Sequence, residues 1–75
     1  MIETEIKNLT ENLNTLKIKN GLTQKQLAEI GGVSVGTVRK LLSGELPKNL
    51  PVTPLLKIAK HFGFHISDLF NLKIS

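Results

Sequence analysis

The sequence predicts an all-α domain, a compact bundle of about five helices. Along much of the chain, apolar residues recur at steps of three and four, which is the spacing of one helix face. Ser, Thr and Pro stand where such helices would begin, and Gly stands where they would end. With 75 residues and 40% apolar content, residues 1–75 are expected to form one domain around a single small core.

The first predicted helix runs from Ile2 to about Asn20, and Gly21 marks its end. Its apolar stripe consists of Ile2, Ile6, Leu9, Leu13 and Leu16. The early part of this stripe has two interpretations. It packs against the C-terminal segment of the same chain, which is the common fate of an amphipathic face, or it forms part of a dimer contact.

A central stretch, at about residues 23–43, predicts two short helices joined by a tight turn. Thr23 and Ser34 are suited to cap the N-termini of these helices, because a hydroxyl can accept a bond from an unpaired backbone N–H. Gly31 and Gly32 are expected to break the first helix, since glycine reaches positive φ without steric cost.

The second helix of this stretch is predicted at about Val35 to Ser43, with Gly44 as its end. The apolar positions of the two helices and the turn are Leu27, Ala28, Ile30, Val33, Val38, Leu41 and Leu42. Arg39 and Lys40 make the second helix basic. Two capped helices, a glycine-containing turn and a basic second helix are the signature of a helix-turn-helix.

This stretch and its flanks resemble the phage-repressor and Cro-like (XRE-type) family of helix-turn-helix DNA-binding proteins. The matching residues are Gln24, Leu27, Ala28, Gly32, Val33, Ser34, Thr37, Val38, Ser43, Gly44, Leu55–Ala59, Phe62, Gly63 and Ile66–Leu69. The resemblance covers about Leu13 to Phe70 and implies a lambda-repressor-like fold, with residues 1–12 as an N-terminal extension of helix 1. Family members often pair an Arg on the first helix with a Glu on the third. The matching positions here are Lys17 and Leu42, so that ion pair is not expected.

By the same resemblance, the third helix enters the major groove and presents Val35, Gly36, Thr37 and Lys40 to the bases. Thr37 can bond a base edge or touch a thymine methyl, and Val35 can make only apolar contact. Lys40 can donate to guanine or to a phosphate, whereas Gly36 permits a close approach. Because few of these side chains can recognise a base directly, contacts to phosphates and the shape of the DNA are expected to contribute to specificity.

The resemblance also implies contacts to the DNA backbone. The residues assigned to it are Gln24, Lys25, Ser34, Arg39, Ser43, Gly44 and Lys48. Gln24 opens a helix, where free N–H groups and partial positive charge suit a phosphate; the alternative is an ordinary exposed glutamine. For Arg39 the alternative is a surface ion pair with Glu29 or Glu45. A formal charge of +4 fits a polyanion partner, and the positive excess begins at the motif.

The loop from Ser43 to Val52 contains two prolines, which keep it out of a helix. Its leucines, Leu46 and Leu50, either anchor onto the core or form part of an apolar interface, and we favour anchoring. A fourth helix is expected to begin with Thr53 as its cap and Pro54 as its first residue. Its apolar face comprises Leu55, Leu56, Ile58, Ala59 and Phe62, and Gly63 ends it.

A short last helix is predicted from Asp68 to about Leu72, with Ser67 as its cap. Phe64 and Ile66 are expected to enter the core before it. The tail is rich in apolar residues, namely Leu69, Phe70, Leu72 and Ile74. Some should be buried in this chain, and the remainder are the second candidate for a dimer contact.

Composition and motifs argue against several other classes. The absence of cysteine excludes disulfides, thiolate metal sites and a cysteine nucleophile. His61 and His65 have a metal-binding spacing, but Gly63 between them should make the rings diverge. We find no phosphate-binding loop and no catalytic set, so neither an enzyme nor a cofactor is expected. No apolar run suggests a membrane span, and the N-terminus does not resemble a signal peptide, so a cytoplasmic protein is expected.

The sequence therefore predicts a sequence-specific DNA-binding transcriptional regulator, a repressor of phage, mobile-element or bacterial origin. It would bind double-stranded DNA as a homodimer on two half-sites, with the third helix in the major groove. The alternative is a protein-interaction module, such as an antitoxin, that holds a partner protein through its N-terminal stripe or its C-terminal tail.

Overall fold

A computed structural model describes residues 2–45 and 52–74. Within these ranges the chain forms five α-helices and no strand: α1 (Ile2–Lys19), α2 (Gln24–Gly31), α3 (Val35–Ser43), α4 (Val52–His61) and α5 (Ile66–Asn71). The all-α prediction of about five helices is confirmed, and the predicted bounds of the first and third helices match closely. Leu46, Lys48 and Leu50 lie outside the described residues, as does the side chain of Ile2.

One hydrophobic core joins the five helices. Its buried apolar residues are Leu9, Leu13, Leu16, Leu27, Ala28, Val38, Leu41, Leu55, Ile58, Ala59 and Leu69. The first helix packs against α3 and α5, α2 packs against α3 and α4, and α4 packs against α5. The recognition candidate α3 therefore rests on two helices, α1 and α2, that hold it from one side.

Side-chain amides on α1 tie down the C-terminal segment. Asn12 is only 1% exposed, and its Nδ2 donates to the carbonyls of Leu69 at 2.8 Å and Leu72 at 2.7 Å. Its Oδ1 accepts from the backbone N–H of Ile74 at 2.9 Å, and Asn8 donates to another carbonyl of α5. A buried amide is tolerated because its polar atoms are satisfied. In the early part of the apolar stripe, Leu9 is buried within the chain, as the first of the two interpretations expected, whereas Ile6 is half-buried.

The turn between α2 and α3 differs slightly from the expectation that Gly31 breaks the helix. Gly31 is the last residue of α2 and is buried. A Cβ built on it would lie 3.2 Å from Ile58 and 3.5 Å from Pro54, so the missing side chain lets α2 and α4 approach closely. Gly32 ends the helix instead, with φ of 68° and its N–H turned back to the last turn.

The beginnings of α4 and α5 also differ from the sequence prediction. The fourth helix begins at Val52 rather than after Thr53, so Pro54 is its third residue. This costs no hydrogen bond, since the first N–H groups of a helix have no partner within it. The last helix begins at Ile66, and Asp68 accepts from the N–H of His65 at 3.0 Å. Ser67, the predicted cap, is therefore a helical residue.

Candidate nucleic-acid interface

The N-terminus of α2 is capped by the side chains of Thr23 and Gln26. Thr23 has extended backbone angles, and its hydroxyl accepts from the N–H of Gln26 at 3.1 Å. The side chain of Gln26 accepts in return from the N–H of Thr23 at 2.8 Å, which completes a capping box. The first two helical residues remain at the surface: Gln24 is half-buried and Lys25 is exposed.

The N-terminus of α3 is organised by a pair of hydroxyl groups. The Oγ atom of Ser34 accepts from the N–H of Thr37 at 3.2 Å, as expected of an N-cap. The same oxygen lies 3.1 Å from Oγ1 of Thr37. A hydroxyl has one donor and two acceptor sites. If Ser34 donates in this pair, Thr37 keeps its own O–H for a base or a phosphate.

Helical periodicity gives α3 two different faces. Val38 and Leu41 are each 1% exposed and point into the core. On the opposite side, at positions i, i+3, i+4 and i+7, an exposed stripe of four residues consists of Gly36, Arg39, Lys40 and Ser43. We call these four residues the outer stripe of α3.

Two of the predicted base-facing residues lie at the edge of the buried face. Val35 and Thr37 are half-buried, and Val35 packs against the core. The structure therefore joins Gly36 and Lys40 on the outer stripe and places Val35 and Thr37 beside it, at the N-terminal end of the helix.

Gly36 is an open position of the outer stripe. A Cβ built on it would meet one atom, the Ser34 Oγ at 3.8 Å, which is an ordinary van der Waals distance. Its φ is not positive, so the local backbone does not require glycine. Neither packing nor backbone geometry within the described part of the chain explains why this position lacks a side chain.

The positive charges near α3 form no ion pair within the part of the chain that the structure describes. Arg39 and Lys40 are exposed, and across residues 2–45 and 52–74 Arg39 forms no ion pair with Glu29 or Glu45. The alternative interpretation of Arg39 is thus not supported. Lys25 adds a third exposed cation at the start of α2.

The C-terminal end of α3 is held by hydrogen bonds from α1. The hydroxyl of Thr10 donates to the carbonyl of Leu41 at 3.1 Å, and the amide of Asn14 donates to the carbonyl of Leu42 at 2.9 Å. These carbonyls are among the last of the helix and lack helical partners. The first and third helices are therefore joined by hydrogen bonds from side chains to the backbone. The family's ion pair cannot form at the matching positions, Lys17 and Leu42, because leucine carries no charge.

The residues assigned to the DNA backbone at this end of α3 are only partly available. The hydroxyl of Ser43 donates to the carbonyl of Lys40 at 3.1 Å, and its oxygen lies 3.5 Å from the N–H of Glu45. Gly44 closes the helix with φ of 84° and is exposed. Lys48, the last residue of this set, lies outside the described residues.

Three residues that hold the interface helices in place were not predicted from the sequence, although a sequence pattern indicates each of them. Gln26 follows Thr23 by three residues, which is the spacing of a capping box. Thr10 and Asn14 lie one helical turn apart on α1, a spacing that places both on one face. What the sequence does not indicate is that this face meets the end of α3.

Other kinds of site find no support in the described ranges. His61 ends α4, whereas His65 precedes α5, so the two residues do not share a helix. Among the residues that the structure describes, no group of three or more His, Cys, Asp or Glu side chains could hold a metal ion. None of the described helices combines the length and the hydropathy needed to span a bilayer.

Comparison with known proteins agrees with this geometry. Residues 13–69, about three quarters of the chain, match a family model described as helix-turn-helix. No curated protein and no solved structure gave a significant match. The matched range contains α2, α3 and α4 entire, whereas residues 2–12 of α1 precede it. The chain therefore belongs to the XRE-type, Cro/C1-like helix-turn-helix family and is a DNA-binding regulator of that type.

Proposed function

We propose that this protein is a sequence-specific transcriptional repressor of phage, mobile-element or bacterial origin that acts in the cytoplasm. It binds duplex DNA as a homodimer and inserts α3 of each subunit into the major groove. The observation that carries this proposal is the outer stripe of α3, which is exposed, basic and open at Gly36.

The outer stripe has the shape and charge that a major groove admits. The groove is wide enough for one helix, and the N-terminal residues of that helix lie nearest the base edges. Gly36 lets the helix backbone approach closely, and Lys40, one turn later, donates to guanine or to a phosphate. Thr37 and Val35 flank the stripe and contact thymine methyl groups or base edges through their exposed parts.

Contacts to phosphate set the register of the helix on the DNA. The candidates are Gln24, Lys25, Ser34, Arg39, Ser43, Gly44 and Lys48. Lys25, near the start of α2, and Arg39, on the outer stripe of α3, contribute exposed positive charge. Because each neutralised phosphate releases counterions, affinity should fall steeply as the salt concentration rises.

A dimer follows from how little DNA one copy of α3 can read. A single helix contacts only a few base pairs, whereas two copies related by a two-fold axis read two half-sites about one helical turn apart. A dimer on such a site represses by excluding other proteins from the DNA, which requires no further contact. Activation would require a separate contact with the transcription machinery.

The alternative of a partner protein held by the N-terminal stripe is weakened by the packing of α1. Of the early stripe, Leu9 is buried within this chain, so it cannot also cover another protein without unfolding α1 from the core, whereas Ile6 is half-buried and the side chain of Ile2 lies outside the described residues. The tail offers Leu72, which is 49% exposed. A single exposed leucine is ordinary for a protein surface and does not by itself favour a partner.

Selection of bound duplexes from a random pool tests the proposal directly. We expect a palindromic consensus with half-site centres about 10 base pairs apart. Lys40→Gln should weaken binding to that consensus, whereas Lys73→Gln, which removes an exposed charge outside the helix-turn-helix, should leave it unchanged. Failure to enrich any sequence at moderate salt, or equal effects of the two substitutions, would contradict the assignment. Sedimentation with and without the duplex determines whether two copies bind.

A further inference from the structure

A surface groove lies between the outer side of α4 and the beginning of α5. It has a volume of about 640 Å³ and is lined by Leu56, Lys57, Lys60, Phe64, His65, Ile66 and Ser67. We call it the α4–α5 groove. Among the described residues, none of α2 or α3 lines it, although the ammonium of Lys57 reaches the turn between these helices, where a Cβ built on Gly32 would lie 3.1 Å away.

The floor of the α4–α5 groove is apolar. Leu56 is 47% exposed although it is a large aliphatic residue in a helix, and Phe64 and Ile66 are half-buried beside it. Val52, one helical turn before Leu56, is 52% exposed and extends the apolar surface along α4. The sequence placed Leu56 on the buried face of α4, so its exposure is a consequence of how α4 is oriented in the fold.

Among the residues that the structure describes, the rim of the groove is basic and contains no acidic side chain. Lys57 and Lys60 are exposed, and His65 adds a polar ring. The carboxylate closest in sequence, that of Asp68, is bonded to the N–H of His65 and does not line the groove. An apolar floor between cations is complementary to a segment that carries carboxylates around a large apolar side chain.

Two other occupants fit this chemistry less well. DNA phosphates would use the lysines but have no use for a floor of Leu56, Phe64 and Ile66. A second copy of this face, brought up around a two-fold axis, would bring two basic surfaces together without a carboxylate among the described lining residues, which is unfavourable. Charge and hydropathy together favour a peptide over either.

We propose that the α4–α5 groove binds an acidic amphipathic segment of a partner protein. One large apolar side chain of the segment inserts between Leu56, Phe64 and Ile66, and its carboxylates meet Lys57 and Lys60. This function goes beyond DNA binding and uses a different surface, so a DNA-bound molecule could hold a second protein at the same time.

The test is a display selection of short random peptides on the full chain without DNA, followed by anisotropy measurements on the enriched peptides. We expect sequences with net negative charge and a large apolar residue. Leu56→Ser should weaken their binding by about tenfold or more, the loss typical of a truncated interface anchor. Replacing Lys57 and Lys60 together by glutamine should weaken binding and reduce its dependence on salt.

The chain provides matched controls for both changes. Leu72 is as exposed as Leu56, and Lys73 is an exposed lysine outside the groove. Leu72→Ser and Lys73→Gln should therefore leave peptide binding unchanged. All of these side chains are substantially exposed, so the variants are expected to fold, which circular dichroism verifies.

Several results would overturn the proposal. Enriched peptides without acidic residues, no enrichment, or equal effects of the groove variants and their controls would each do so. If the lysine variant loses DNA affinity, the groove belongs to the DNA interface, and if Leu56→Ser shifts the sedimentation coefficient, it is a contact between copies. Because no DNA is present in the peptide test, a failed duplex selection leaves its outcome unaffected.

Discussion

Gly36→Ala separates a folding requirement from a DNA-binding requirement at the same residue. The added methyl group would meet one atom, at 3.8 Å, so it imposes no clash in the free protein. The backbone there does not have positive φ. Replacing a helical glycine by alanine usually stabilises by roughly 0.5–1 kcal/mol. Position 36 is the second residue of α3, so the lower end of that range is expected.

The same methyl group should weaken DNA binding. If the backbone of α3 approaches a base edge at Gly36, a methyl group there must push the helix outward and lengthen the neighbouring contacts. A loss of roughly 1–3 kcal/mol, the value of one good base contact, corresponds to an about fivefold to 150-fold weaker complex. Stability and affinity should therefore change in opposite directions.

Thermal unfolding and fluorescence anisotropy on a selected duplex measure these two effects. A stabilisation near 0.5 kcal/mol corresponds to a rise in Tm of roughly 2–4 °C for a domain of this size. Thr4→Ala is the matched control, because it improves helix propensity at an exposed position of α1. It should stabilise without altering affinity. A Gly36→Ala protein that is more stable and binds DNA as well as before would refute the close approach of α3.

Two further predictions follow from individual hydrogen bonds and charges. Asn12→Ala leaves two carbonyls and one N–H of the C-terminal segment without their partner. It should lower the free energy of unfolding by roughly 2–4 kcal/mol, visible as a fall in Tm on the order of 10–20 °C. The control Asn20→Ala, at an exposed position, should change Tm little. Loss of equal size in both would mean that the buried amide is not what holds the tail. Thr37→Ala should relax the sequence preference of DNA binding. Arg39→Gln should weaken binding to all duplexes alike and reduce the slope of log affinity against log salt concentration by about 1. A uniform loss of affinity for both variants would contradict these separate roles.

Much of the helix-turn-helix could be predicted because its determinants are local. Thr23 and Ser34 cap the helices that follow them, and Gly44 ends α3 with a left-handed backbone. The stripe of Leu9, Leu13 and Leu16 is buried as its spacing indicates. Each of these features depends on residues within a few positions of one another, so the local sequence pattern predicts it.

The candidate site could be predicted only in part. The exposed, basic side of α3 follows from periodicity, since Val38 and Leu41 fix which side faces the core. The half-buried state of Val35 and Thr37 does not follow from it, because it depends on how α1 and α2 lie against the helix. The assignment of individual residues to bases or phosphates remains a prediction for the experiments above.

The sequence by itself determined the bounds of α1 and α3, the presence of a turn between α2 and α3, and the family, because caps, glycines and apolar spacing act over short distances. Only the tertiary structure decided what lies far apart in the chain. It placed Asn12 against the C-terminal segment, used Gly31 to bring α2 close to α4, and left Leu56 exposed beside Phe64. These outcomes depend on the relative orientation of whole helices, which no local pattern specifies.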